Sequence, residues 1–256
     1  MSLMESQLAA IREVQQLWPE AKVVIIGATA LGFHLEMSWR RTADVDLAVA
    51  LTVDALPALS RQRGWRQHPK REHEFTSPGG VRLDLIPAGP QLLQAGRLQW
   101  SNGDVMSLVG MDLAFKHAVQ HESGVFVAPA HVVAVLKMVA FGERPADRER
   151  DLVDIAHLLD AYVKEDDARR WDEAPDDCEF DLAPAHLFGL DVAGVLDHDV
   201  HRAVVTTFLS QVEPPESSAH LLMLRGGPKR WRSQENALGR RLQAFRTGMR
   251  AAKGLV

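Results

Sequence analysis

One cysteine and one tyrosine in 256 residues are the scarcest features of this chain. A lone Cys178 excludes an intramolecular disulfide and suits a reducing cytoplasm, the compartment expected from sequence. It lies among acids, with no positive neighbour to lower its pKa, which argues against a thiolate nucleophile. No apolar run approaches the length of a membrane span, and the first residues lack the charged-then-apolar pattern of a leader. Gly-x-Ser-x-Gly and Walker A loops are missing, so serine-hydrolase and P-loop chemistries have no anchor. His117 and His121 stand at i, i+4 without the glutamate of a His-Glu-x-x-His site. Packed or solvated histidines account for them better than zinc does, and the same holds for His198 and His201.

What is present is a concentration of acids in strand-like surroundings. Asp44 and Asp46 are two apart in Arg41-Thr42-Ala43-Asp44-Val45-Asp46-Leu47-Ala48-Val49. Strand residues i and i+2 share a face, so the two carboxylates lie side by side while Val45, Leu47 and Val49 point to the core. Adjacent anions repel, and a cation or shared proton offsets the repulsion. Hard oxygen ligands suit Mg²⁺ carrying nucleotide phosphates. The segment Val81-Arg82-Leu83-Asp84-Leu85-Ile86 alternates in the same way and puts Asp84 and Arg82 on one face. If the two strands are neighbours, three carboxylates meet beside one base, enough for a metal site that activates a hydroxyl and stabilises leaving pyrophosphate. The alternative is that each Asp is an ordinary solvated strand residue.

Upstream, the apolar run Lys22 to Ile26 ends at Gly27 and passes into a helical pattern over Thr29 to Met37. The first amides of a helix are unpaired and attract phosphate, and glycine permits the sharp turn. Thr29 either donates a hydroxyl to a ligand or caps the helix. A dinucleotide fingerprint also begins in this manner, with an acid roughly 20 residues on. Here Leu35 stands where the third glycine belongs, and Asp44 and Asp46 begin their strand instead of ending it.

Gly27-Ala28-Thr29-Ala30-Leu31, Arg41-Thr42-Ala43-Asp44-Val45-Asp46-Leu47 and Leu83-Asp84-Leu85-Ile86 resemble the nucleotidyltransferase superfamily that includes DNA polymerase β. Within it they are most similar to AbiEii-type nucleotidyltransferases, typically the toxin arm of bacterial toxin–antitoxin pairs. Ala28 departs from that group, which shows glycine or serine there. Lys137-Met138-Val139-Ala140, then Arg144, and Arg150-Asp151-Leu152-Val153-Asp154 continue the likeness. The resemblance implies catalytic roles for Asp44, Asp46, Asp84, Lys137 and Asp151, with Asp44, Asp46 and Asp84 holding Mg²⁺. It implies nucleotide contacts from Gly27, Ala28, Thr29, Arg41, Thr42 and Arg82. Lys137 would reach the triphosphate. Read without the resemblance, Lys137 snorkels along its stem and Asp151 and Asp154 flank an ordinary helix stripe.

The expected fold is α+β: a small mixed sheet forming a nucleotidyltransferase core with flanking helices, then an α-helical C-terminal region. Helices are expected over 8–17, 56–63, 111–121, 129–141 and 146–163, and a hairpin across Ser77-Pro78-Gly79-Gly80. Residues 1–108 would form the core domain, 109–165 a helical domain completing the site, and 166–256 an acidic linker and basic helical extension. From Lys164 to Asp181 nine acids face three bases; from Leu221 onward nine bases face one acid, in a chain of net charge −5. That basic tail suits a phosphate backbone, or docking on the chain's own acidic body. The expected activity is Mg²⁺-dependent transfer of a nucleoside monophosphate to an acceptor hydroxyl. The resemblance and the tail imply an RNA acceptor, a transfer RNA 3′ end among the candidates, and a protein antitoxin as partner. A protein- or aminoglycoside-modifying enzyme and a catalytically idle binding or regulatory domain are the alternatives.

Overall fold

Strand β1 (Val23–Ile26) is apolar and buried at every position, which only an interior strand of a sheet covered on both faces requires. The computed structural model describes residues 4–40, 42 and 44–252. Around β1 it builds a seven-stranded mixed sheet of order β3-β4-β5-β2-β1-β9-β8. The members are β2 (Asp44–Val49), β3 (Arg66–Gln67), β4 (Glu74–Thr76), β5 (Arg82–Pro87), β8 (Val119–Gln120) and β9 (Phe126–Val127). A separate ribbon pairs β6 (Arg97–Gln99) with β7 (Val105–Ser107). Helices α1 (Glu5–Leu17), α2 (Gly27–His34), α3 (Pro57–Ser60), α4 (Pro90–Ala95) and α5 (Met111–His117) connect and flank these strands. The class is α+β, as the sequence implied. Its deepest layer includes Ile25, Val45, Leu47, Phe75, Leu83 and Leu85, all fully buried.

Register fixes what each strand displays. β2 runs parallel to β5 and antiparallel to β1, and β4 closes the expected hairpin on β5. One boundary differs from expectation: the helix from Met111 stops at His117 instead of His121. Val119 and Gln120 extend as β8 and pair with β9, whose own partner is β1. Backbone donors and acceptors on the edge of β9 outweigh the helical pattern that runs up to His121.

The chain divides between Val133 and Ala134 into two compact units. Helix α6 (Ala130–Glu143) begins in the first and continues into the second. The second unit adds α7 (Glu149–Ala161), α8 (Arg169–Asp172), α9 (Ala183–Val195), α10 (Asp199–Val212), α11 (Ser218–Gly226) and α12 (Ala237–Ala251). The acid-rich stretch expected as a solvated linker is mostly exposed; it includes the short helix α8, in which Arg170 is buried. That guanidinium, 7% exposed, donates to the carbonyls of Lys164 (2.8 Å) and Val163 (2.9 Å).

Helices α9 and α12 touch backbone to backbone. A Cβ on Gly248 would lie 1.9 Å from the His186 carbonyl oxygen, and one on Gly189 would lie 2.0 Å from that of Phe245. On helix propensity alone, Gly248→Ala would gain about 1 kcal/mol. The clash is with main chain that cannot swing aside, so overpacking wins. We expect Gly248→Ala to lose about 3 kcal/mol, read as a lower urea midpoint; a raised midpoint would refute this close packing.

Candidate functional site

Three acids occupy facing register positions on adjacent strands: Glu74 on β4, Asp84 on β5 and Asp46 on β2. Facing residues point to the same side of a sheet, and two residues along lie Asp44, opposite Arg82. The polar face of this sheet end therefore carries Asp44, Asp46, Arg82, Asp84 and Glu74. Val45, Leu83 and Phe75, on the reverse side, anchor it in the core.

The glycine turn closes onto this face. Gly27 has φ +63°, a conformation that favours glycine, and a Cβ there would sit 2.1 Å from Asp46 Oδ2. The start of α2 therefore lies directly against the Asp46 carboxylate. Ala28 and Thr29 follow, both buried. Thr29 uses its hydroxyl structurally, donating to the Asp44 carbonyl at 2.8 Å and so tying α2 to the first residue of β2. Thr42 Oγ1 is buried and has no partner among the described residues. Arg41, also expected at the nucleotide, lies outside the described residues.

Charge is unevenly compensated. Arg82 donates to Asp44 Oδ1 at 2.6 Å, both side chains being substantially exposed. Such a pair contributes little to stability. Glu74, largely buried, is held by Arg71 at 2.8 Å. Burial raises the Asp84 carboxyl above its ordinary pKa, and the negative charges of Glu74 and Asp44 push the same way against His73 and Arg71. Burial in turn lowers the His73 pKa; its ring leans on Trp100, with centroids 5.1 Å apart.

The donor set matches a hard divalent cation in chemistry, since its groups are carboxylates. The side chains do not close a cage: among the described residues no group of three or more His, Cys, Asp or Glu is placed to hold a metal ion. Asp44 is instead turned to Arg82.

Glu74 and His73 were not singled out in the sequence. A turn over 77–80 alone would set 76 opposite 81 and 74 opposite 83; the loop closes one residue later, with the Ser77 N–H donating to the Val81 carbonyl, and that shift sets Glu74 opposite Asp84. His73 stacks on Trp100 from a distant ribbon, a contact no local pattern encodes.

Lys137 and Asp151 belong to the second unit. Lys137 Nζ lies 2.6 Å from Asp151 Oδ1 and 2.8 Å from Asp154 Oδ2, with Asp154 fully buried and the other two nearly so. The lysine does not snorkel. Burial opposes its charge, yet the two carboxylates outweigh that and raise its pKa. Cys178 is an unactivated thiol, its pKa pushed up by burial and by Asp177 and Glu179.

No protein-family model matches the chain, and no curated protein matches it. Among solved structures it is similar to a provisionally assigned nucleotidyltransferase from H. pylori, with 10% identity, 99% of each chain covered and a TM-score of 0.39. No helix among the described residues is long and apolar enough to cross a membrane.

Proposed function

We propose that this chain is a nucleotidyltransferase, moving a nucleoside monophosphate from a nucleoside triphosphate to an acceptor hydroxyl. One observation carries the reading: Asp46 and Asp84 face each other in register, with the Asp46 carboxylate directly against the Gly27 turn. Acids beside unpaired helix-start amides combine a place for cations with a place for phosphate.

In this reading Asp44, Asp46 and Asp84 hold Mg²⁺, which when bound neutralises the triphosphate and favours attack by a hydroxyl. The amides of Gly27, Ala28 and Thr29 orient the phosphates. Asp84, with its pKa raised by burial, is the group suited to accept the acceptor's proton. Arg82, once released from Asp44, offsets phosphate charge, and Thr42 offers its hydroxyl. Lys137, Asp151 and Asp154 brace α6 against α7.

RNA is the acceptor we favour. Its support is the AbiEii-type resemblance, which also suggests a transfer RNA 3′ end and an antitoxin partner, together with unpaired bases in the tail. The idle-domain alternative draws on the Arg82–Asp44 pair, which occupies a carboxylate that a cation needs. Incubating the chain with each α-labelled nucleoside triphosphate, Mg²⁺ and total RNA separates the two. The expected result is label on RNA, with one nucleotide preferred and the signal lost on chelation. No transfer to RNA, protein or aminoglycoside would leave the idle domain standing.

A further inference from the structure

Trp171, on α8, leaves 70% of its surface in water, more than any other large apolar side chain among the described residues. It leans on Phe180, itself 39% exposed, with ring centroids 5.1 Å apart. Solvated rings forgo the free energy that burial would release, and adjoining exposed apolar groups mark interaction surfaces. Tryptophan and arginine are also the side chains that most often dominate binding at such surfaces.

The ring pair is held in place before any partner arrives. Arg170 sets its guanidinium carbon 4.6 Å from the Phe180 ring centroid. That arginine is 7% exposed and donates to the carbonyls of Val163, Lys164 and Phe180. Phe180 is thus tied at both its ring and its backbone, and Trp171 rests on it. Phe180 already carries a cation of the chain itself. Over Trp171 there is none among the described residues.

The surroundings decide the sign of the partner. Nine acids and three bases lie in 164–181, and two of the bases are taken. Arg170 is buried, and Arg169 is spent on Glu173 and Asp191 at 2.9 and 2.7 Å. Only Lys164 is left against the acids. Asp166, Asp172 and Asp176 are exposed, with no basic partner among the described residues. Asp172 follows Trp171 directly, and the other two lie five positions to either side of it. Solvated carboxylates around an electron-rich ring attract cations and repel a phosphate backbone. A guanidinium suits the ring better than an ammonium, being flat and more weakly hydrated. A small cation gains little on an open surface, whereas one chain bearing several arginines engages the ring and the spaced acids together.

We propose that the Trp171–Phe180 pair and its acids form a docking surface for an arginine-rich segment of a partner protein. One guanidinium stacks on the Trp171 ring, and others pair with Asp166, Asp172 and Asp176. The surface belongs to the second unit and stands whether or not the first unit transfers nucleotides.

The test is fluorescence anisotropy of a labelled peptide of arginine–glycine repeats, titrated with the full chain beside a lysine–glycine counterpart. We expect saturable binding that weakens as salt rises and is severalfold tighter for arginine than for lysine. Trp171→Ala should weaken it about tenfold and Trp171→Phe less, with circular dichroism confirming the fold. If Trp171→Ala unfolds, Trp171→Phe and the aspartate variants decide. Asp172→Asn with Asp176→Asn should weaken binding and flatten its salt dependence. Glu20→Gln with Asp54→Asn, the same charge change at exposed positions of the first unit, should leave it unchanged. Absence of saturable binding, indifference to Trp171→Ala, or lysine binding as well as arginine would overturn the proposal. So would spermine binding as tightly as the peptide, which assigns the surface to a small polycation. A dimer in sedimentation that Trp171→Ala dissociates would overturn it too, in favour of a second copy of the chain.

Discussion

Asp46→Asn is expected to lower nucleotidyl transfer by about a thousandfold or more while the protein stays folded. The amide is nearly isosteric with the carboxylate, and the strand around it is anchored by Val45 and Leu47, both fully buried. What disappears is one negative charge at the point where β2, β5 and the Gly27 turn meet. Removing that charge weakens cation binding and leaves the phosphates less well neutralised during transfer. The loss should appear in kcat and in Mn²⁺ affinity measured by calorimetry, with an unchanged thermal midpoint. A variant retaining activity within tenfold of wild type, at normal stability, would remove Asp46 from the chemistry and undo the proposed function.

This site was legible because its information is local. Period-2 alternation in 44–49 and 82–87 assigned the carboxylates to one face, and an apolar run ending in glycine marked the turn. That β2 and β5 are neighbours had to be supposed, since no pattern within either strand names its partner. The hairpin turn over 77–80 did not reveal Glu74, because the strands pair one residue away from the register its length dictates, and that shift sets Glu74 opposite Asp84.

Elsewhere the decisive contacts are between segments far apart in the chain. His121 falls outside a helix because β9 offers a strand edge, which the amphipathic pattern from Met111 cannot reveal. The acidic stretch 164–181 looks solvated by composition and is mostly exposed; what composition does not show is that Arg170 is buried there, donating to main-chain carbonyls. In the tail, nine bases suggested a nucleic-acid surface. Pairings with Asp160, Glu213 and Glu179 take up four of them, Arg230, Arg240, Arg241 and Arg246. Net charge counts residues, while recognition depends on which remain unpaired.

Lys137→Met should cost about 3–5 kcal/mol of stability, because it strands two buried carboxylates without their cation. Asp154 is fully buried and Asp151 nearly so, so water cannot take over the lysine's part. A Lys137→Met, Asp151→Asn, Asp154→Asn triple variant should recover much of the loss, since removing the whole charged group avoids an unpaired ion. The lysine's pKa is raised in the folded state, so its contribution is fully present through the neutral range. It declines once the pH passes the ordinary lysine value and is lost as the pH rises through the elevated one. Urea unfolding of the wild type should accordingly show no lysine-linked loss between pH 7 and 9. The same variants decide between the two roles open to Lys137. Bracing predicts that transfer and stability fall together and return together in the triple variant. A Lys137→Met protein as stable as wild type but unable to transfer would instead assign the ammonium to the triphosphate, as the family resemblance implies.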